Sequence, residues 1–564
     1  MTLQENAPSR RSFLVGAGAA LAGSALAMAG CSPSAPKETA EADAAAESSS
    51  AAGNLPASWD YEADFVVVGA GTGLTGALAA AVQGDKVIVL EADAVAGGTM
   101  SRSGGVTWVA CNSIEAAEGI KDTKEDAMAY LRACAEGQAD EEILEVYVDR
   151  GTEMADFVQE NSPITWMISD FRRCYEYHPE FEGALFRGRS LYPYEDADPA
   201  RRGGLLAQGL VDGVEAAGGE IMLNTQGTRL VSRTDADGNT EVLGVWATDK
   251  NGKQIAVKAN KGVLLSAGGF DWNDAMKTAF LRGPYWYTNA SPYCDGTGIK
   301  MAQAVGADLA NMSECWGYPA YTAPSEAGYA DKMGFAGYDH AAPGVIVVNR
   351  YGERFMDEAC DYDSNCRSFL AWNNWNDQAD FGYRNLPAFT IMDELARKKF
   401  GIAYHYGDDI PEYAVQADTL AELAEKLGID PEGLEATVAE FNANAEQLVD
   451  PKFHRGESAY DRMWNQKSTG EGPEETLAPL TMAPFWGIEV SLGMLGTCGG
   501  ARVNTDAQVL DAFGNPIARL YAAGNNSGVG SPGAGYTGGG ATIGPAMTFA
   551  YIAGMHASGL EPWV

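Results

Sequence analysis

The tightest constraint on this chain lies between Phe65 and Glu91. Phe65-Val66-Val67-Val68 is a short apolar run without polar alternation, the mark of a parallel strand buried on both faces. Gly69-Ala70-Gly71-Thr72-Gly73-Leu74-Thr75-Gly76 follows at once, then a helix opening at Ala77, then Lys86-Val87-Ile88-Val89-Leu90 as a second strand that ends on Glu91. Strand, glycine turn, helix and strand in so short a span make a βαβ unit. Gly69 and Gly71 let the backbone turn and approach a pyrophosphate, the helix start offers free amides, and Glu91 is placed to hold a ribose hydroxyl. Gly73 stands one place earlier than the third glycine of a GxGxxG spacing, so the loop departs from the common dinucleotide pattern there.

Glycine clusters recur at both ends of the chain. Gly97-Gly98-Thr99-Met100-Ser101-Arg102-Ser103-Gly104-Gly105 would let backbone pass close to a flat ligand. Val263-Leu264-Leu265-Ser266-Ala267-Gly268-Gly269-Phe270 reads as the return strand of the same sheet running into a turn. Leu520-Tyr521-Ala522-Ala523-Gly524-Asn525 and Gly538-Gly539-Gly540-Ala541-Thr542-Ile543-Gly544-Pro545-Ala546 repeat the theme. The block between, Leu281 to Leu495, has another texture. It is rich in aromatics (Trp286, Tyr287, Tyr293, Trp316, Tyr318, Tyr321, Tyr338) and carries helical patterning near Thr419–Leu427 and Pro431–Leu448. It reads as an insertion, with its aromatics more often core than cleft.

At 564 residues and 46% apolar the chain can bury a large core, and 39 basic against 77 acidic residues leave no electrostatic footprint for nucleic acid. Ser9-Arg10-Arg11-Ser12-Phe13-Leu14 places an arginine pair before an Ala/Gly-rich run from Val15 to Gly30, the form of a twin-arginine export signal. That run is shorter than the roughly 20 residues of a spanning helix. Met28-Ala29-Gly30-Cys31 resembles a lipoprotein cleavage box and leads into an Ala/Glu/Ser tether. Residues 1–31 are therefore read as signal, with Cys31 as a candidate lipid anchor, and 32–58 as flexible linker; the expectation is an exported, extracytoplasmic protein. Nine cysteines include no CxxC and no haem attachment motif, which leaves a pairing of Cys360 with Cys366 open. His178, His340, His405, His454 and His556 show no metal-ligand spacing.

Taken together, VVVGAG, GGTMSRSGG, LLSAGGF, GTGIKMAQAVGA, NRYGERFMDE, GTCGG, LYAAGN and GGGATIGPAMTFAYIAG resemble the FAD-dependent fumarate reductase and 3-ketosteroid dehydrogenase superfamily over nearly all of the mature sequence. The resemblance implies an α/β fold, α+β overall: a Rossmann-type FAD domain in two pieces, 59–280 and 496–564, and an inserted α+β capping domain, 281–495. It implies non-covalent FAD contacted by Gly69, Gly71, Gly73, Glu91, Gly98, Thr99, Ser103, Gly104, Gly105, Ala267, Gly268, Gly524, Asn525, Thr542 and Ile543. Substrate would lie between flavin and cap.

Two positions choose the branch. The place four after Glu358, an arginine in fumarate reductases, is Tyr362, and the arginine that clamps a substrate carboxylate falls on Tyr536. No arginine occurs between Gly283 and Asn349, where the dicarboxylate branch keeps its proton relay. A dianion wants bidentate guanidinium partners, so fumarate is a poor candidate and a neutral ketone a better one. By resemblance to the ketosteroid branch, Tyr362 transfers the proton, the Tyr536 hydroxyl and Gly540 amide polarise the ketone, and Tyr177 supports Tyr362. The expected activity is hydride transfer between flavin and a carbon-carbon bond next to the carbonyl of a neutral enone or ketosteroid. With no nicotinamide or haem motif, electrons would pass to or from an external membrane-linked partner. Two alternatives stand beside it: an exported respiratory ene-reductase of another enone, lactone, phenolic or carboxylate, and a non-catalytic flavin carrier or ligand-binding lipoprotein.

Overall fold

The strand read at Phe65–Val68 extends back to Tyr61, and its inner half is fully buried, as a parallel strand between two neighbours must be. It pairs in parallel with Val87–Leu90 on one side (Phe65 opposite Val87) and with Gln254–Leu265 on the other (Val66 opposite Val263). Glu220–Met222 extends the parallel order beyond Val87–Leu90, and Pro516–Ala522 extends it beyond Gln254–Leu265. Gln226–Thr234, Thr240–Thr248 and Gln508–Leu510 complete an eight-stranded sheet. The computed structural model describes residues 55–168, 176–193, 202–323, 337–373, 381–463, 472–531, 533 and 535–563; the readings at Arg10, Arg11, Cys31 and the linker up to residue 54 lie outside them.

Helix Leu74–Val82 leaves the glycine turn and packs against the C-terminal helix Ile543–Ser558. A Cβ on Gly76 would stand 2.5 Å from the Ala550 carbonyl oxygen, and one on Gly554 2.3 Å from that of Gly76, so the two backbones touch where any larger residue would part them. This crossing fastens the end of the chain to its first βαβ unit.

A second, six-stranded sheet is built from strands that all lie between Tyr287 and Thr497. Its spine is Phe485–Thr497, paired antiparallel with Cys315–Tyr321, Ala388–Met392 and Val415–Ala417 and in parallel with Tyr287–Thr288. Val345–Asn349 closes the far edge. The helical patterning of this block resolves into Leu420–Leu427, capped by Thr419, and Pro431–Ala445, capped by Asp430 with proline at its start. One stretch of the block reaches the first sheet's core: helix Thr297–Gln303 buries Met301 and Ala302 there and Ile299 in the second core, and Leu309–Ala310 pairs with Gly500–Ala501 in a separate two-stranded sheet. Of the aromatics singled out above, Tyr318 and Tyr321 are buried, Trp286 is exposed, and the Tyr338 side chain is outside the description. Cys360 and Cys366 are both free thiols.

Candidate active site

In an open parallel sheet the ligand crevice lies beyond the carboxyl ends of the strands, because that is where helix N-termini and turn amides converge. Here those ends are Gly69, Glu91, Ser266 and Ala522, and beyond them runs a cavity of about 850 Å³. Gly69, Gly71, Glu91, Gly98, Thr99, Ser103, Gly104, Ala267, Gly268, Asn525, Thr542 and Ile543 line it, and so do Tyr177, Tyr362, Tyr536 and Gly540. Three residues expected at the cofactor stand behind the wall instead. A Cβ on Gly73 would meet the Ser266 Cβ at 2.7 Å, and one on Gly105 the Arg202 backbone at the same distance. Gly524 turns at φ +60° beside Thr72. All three let chains pack close beside the lining residues.

The cavity fits FAD on its own geometry. Gly69, at φ +102°, runs so close to the return strand that a Cβ would lie 2.4 Å from the Ser266 carbonyl oxygen, while a Cβ on Gly98 would meet nothing within 4 Å. Helix Leu74–Val82 begins with no side-chain cap and no acid in its first turn, leaving its positive end for an anion. The Ser266 hydroxyl is buried in this wall without a hydrogen-bond partner among the described residues. Glu91 accepts from the Ala70 amide at 2.7 Å and the Asp93 amide at 2.8 Å, so it also braces the glycine loop. Burial pushes its carboxyl above the usual range against the pull of those amides. Gly69→Ala would add about 1–3 kcal/mol of backbone strain, equivalent to about 5–150-fold if expressed in FAD affinity. Protein purified with this substitution should carry little flavin absorbance and regain it only at high added FAD; full flavin content would contradict the fit.

At the inner end three tyrosines meet. The Tyr177 hydroxyl donates to the Tyr362 oxygen at 2.9 Å. Tyr177 stacks on Tyr536 with ring centres 5.2 Å apart and planes 9° apart, and Tyr362 meets Tyr536 edge-on at 5.4 Å. All three are more than nine-tenths buried, with Trp316 and Leu495 in the adjoining wall. Each comes from a different part of the chain. Tyr362 opens helix Tyr362–Ser368, whose Asp361 cap accepts from the Asp363 and Ser364 amides. Tyr177 is held by its own amide on the Thr537 oxygen at 3.0 Å. Gly540 sits at φ +93°, where a Cβ would lie 2.5 Å from the Trp108 nitrogen, and its carbonyl accepts from that nitrogen.

Residues 64–543 match the family described as FAD binding domain. The chain belongs to that family. This flavoprotein is 32% identical to 4-oxocyclohexanecarboxylate 2-dehydrogenase of Sinomonas cyclohexanicum, over 88% of this chain and 93% of that one. It is 33% identical to 3-oxosteroid 1-dehydrogenase of Mycobacterium tuberculosis, over 88% of this chain and 98% of that one. Among solved structures, the 3-ketosteroid delta1-dehydrogenase of Sterolibacterium denitrificans, in complex with 1,4-androstadiene-3,17-dione, superposes with a TM-score of 0.77 at 27% identity, covering 88% of this chain and 99% of that one. The flavoprotein is thus an FAD-dependent oxidoreductase acting on CH–CH bonds. Several cavity residues gave no sequence signal. Arg202 stacks on Tyr192 at 4.2 Å and both line the cavity, as do Asn289 and Cys294. The Arg202-Gly203-Gly204 run was the available clue, since a Cβ on Gly203 would strike the Met100 carbonyl oxygen at 2.3 Å.

Proposed function

We propose that this flavoprotein moves hydrogen between its cofactor and the carbon-carbon bond beside the carbonyl of a neutral cyclic ketone, of the 3-ketosteroid or oxocyclohexane class. The observation that carries the reading is the Tyr177 to Tyr362 hydrogen bond inside the cavity, with Tyr536 stacked alongside. FAD, when bound, supplies the hydride acceptor or donor.

The protein's own residues handle the proton and the carbonyl. Tyrosine ionises near pH 10 in water, so Tyr362 serves as a base at neutral pH only if its phenolate is stabilised, and the hydroxyl donated by Tyr177 does that. The Tyr536 hydroxyl and the Gly540 amide, which donates to no protein acceptor among the described residues, are the donors for the ketone oxygen. Charge drawn onto that oxygen acidifies the neighbouring C–H, and Tyr362 takes the proton; in reverse it returns it. Two phenols and an amide suit a neutral carbonyl, and the steroid and oxocyclohexane relatives act on ketones by their names.

Export by the twin-arginine signal at Ser9–Leu14, with lipid attachment at Cys31 and electron exchange with a membrane-linked carrier, completes the proposal and rests on the sequence of that segment. The test is anaerobic. Holoprotein reduced with dithionite is mixed with 4-androstene-3,17-dione, cyclohexenones, unsaturated lactones, cinnamate and fumarate, and flavin reoxidation is followed. Reoxidation by a neutral enone and not by fumarate is expected; reoxidation by fumarate alone would overturn the reading of Tyr362 and Tyr536.

A further inference from the structure

The strap Tyr536–Gly540 carries both groups proposed to act on the ketone oxygen, and it is gripped along its length by buried groups from elsewhere. The Thr537 oxygen accepts from the Tyr177 amide and the Tyr130 hydroxyl. Gly538 forms an antiparallel bridge with Glu176. The Gly539 oxygen accepts from Ser190 Oγ at 2.7 Å, and the Gly540 oxygen from the Trp108 amide at 3.2 Å.

Behind this strap lies a buried charge group that the proposed chemistry does not use. Arg189, 1% exposed, is held by Asp122 through Nε to Oδ2 at 2.8 Å and Nη2 to Oδ1 at 2.6 Å. Its Nη1 stands 3.4 Å from Glu176 Oε1, which also accepts from Trp108 Nε1 at 3.2 Å. The guanidinium covers the rings of Trp108 and Tyr130, two of the four residues that donate to the strap. One layer therefore touches Tyr177 through its neighbour Glu176 and reaches Gly540 through Trp108.

We propose that Glu176 and Arg189 are positioning residues that set the register of Tyr177 against the strap, and so place the Tyr177 and Tyr536 hydroxyls and the Gly540 amide. The inference rests on the reading of those three groups given above. Its physical basis is that a hydroxyl displaced by about 1 Å from its reacting partner costs on the order of a hundredfold in rate, while the residues that prevent such displacement touch no substrate.

The layer also has a charge limit. Glu176 faces Arg189, Asp122, Tyr130, Tyr147 and Cys134, and Glu115 lies beside Asp122. Burial works against the Asp122 charge, but the Arg189 hydrogen bonds outweigh it and keep that carboxyl below its ordinary value. Arg189 is thereby balanced, and burial pushes Glu176 up to about 8 despite its distance of 3.4 Å from the same guanidinium. At neutral pH Glu176 is the neutral member, and ionising it adds a second anion against one cation.

The experiment compares wild type with Glu176→Leu, Arg189→Lys, Glu176→Gln and Tyr362→Phe, all as holoprotein with flavin content and melting temperature recorded, using the enone that reoxidises wild type best. Glu176→Leu and Arg189→Lys should lower kcat roughly 10–100-fold with KM within about threefold. Glu176→Gln should recover most of what Glu176→Leu loses, and its kcat should hold as pH rises through about 8, where that of wild type is expected to fall. Unchanged kcat in a flavin-loaded Glu176→Leu, or a Glu176→Gln pH profile identical to wild type, overturns the inference; the second arm decides it alone if the leucine variant does not fold. Full turnover in Tyr362→Phe would instead bring down the reading of the tyrosines on which it stands.

Discussion

Tyr362→Phe should reduce turnover by about 10²–10⁴-fold while leaving flavin bound and KM nearly unchanged. The substitution removes one oxygen, the one that Tyr177 points at from 2.9 Å, and leaves the ring in its edge-on contact with Tyr536. Packing and cavity shape survive, so the loss falls on the chemical step rather than on binding. Tyr177→Phe should cost less, since it removes the group that stabilises the phenolate and leaves the phenolate itself. Steady-state oxidation or reduction of the best ketone or enone by the holoprotein checks both. The result that sinks the assignment is a Tyr362→Phe enzyme within a few-fold of wild type, because no other group would then need to be a base at that place.

The second large effect is expected at a buried ion network that does not itself line the cavity. Glu358 is fully buried; it takes Arg354 bidentate at 2.7 and 2.6 Å and Arg455 Nη1 at 3.1 Å, and accepts from the Val347 amide. Arg354 also reaches Asp450 at 2.7 Å, and Arg455 donates to the Val345, His340 and Ala342 carbonyls. Burial pushes the Glu358 carboxyl up, yet the two guanidinium groups and their hydrogen bonds overcome it and hold it at about 2. Glu358→Gln would strand cationic charge in the interior, at a cost of about 3–5 kcal/mol, read as a drop in melting temperature and in urea midpoint. Because the folded carboxyl lies below its unfolded value of 4.5, this contribution is fully present above that pH and is lost as pH falls toward 2. The gap between wild type and variant should therefore be wide at pH 7 and close in acid. A gap that persists unchanged at low pH would show that charge is not its source. Glu358 precedes Tyr362 by one helical turn of sequence, and the Asn365 carboxamide donates to both the Glu358 and Cys360 carbonyls, so the network also fixes the turn that presents the base.

The parts legible in the sequence share one property, that their meaning is local. The βαβ unit, the return strand at Val263–Leu265, and the helical patterning near Thr419–Leu427 and Pro431–Leu448 each declare themselves within a few residues, and each formed, the first helix starting earlier, at Leu74, and the last ending at Ala445. The glycines show the limit of that. Gly69 and Gly73 both pack against Ser266, at the end of a strand nearly two hundred residues on, yet only Gly69 of the two also lines the cavity. Arg189 gave no signal because its partners Asp122 and Glu176 lie in segments with no shared motif. Nor does the cut at Leu281 show that helix Thr297–Gln303 divides its apolar residues, Met301 and Ala302 to the first core and Ile299 to the second.

By itself, then, the sequence determined the class of fold, the dinucleotide loop and, through its motifs, the pair Tyr362 and Tyr536 in place of arginines. The tertiary structure alone decided that Tyr177 lies within hydrogen-bonding distance of Tyr362 and flat on Tyr536, and that a buried layer under Gly540 holds them there. The physical reason is range: backbone propensity and glycine geometry act over a few residues, whereas a hydrogen bond between side chains 185 residues apart exists only once the segments that carry them have folded together and buried both rings.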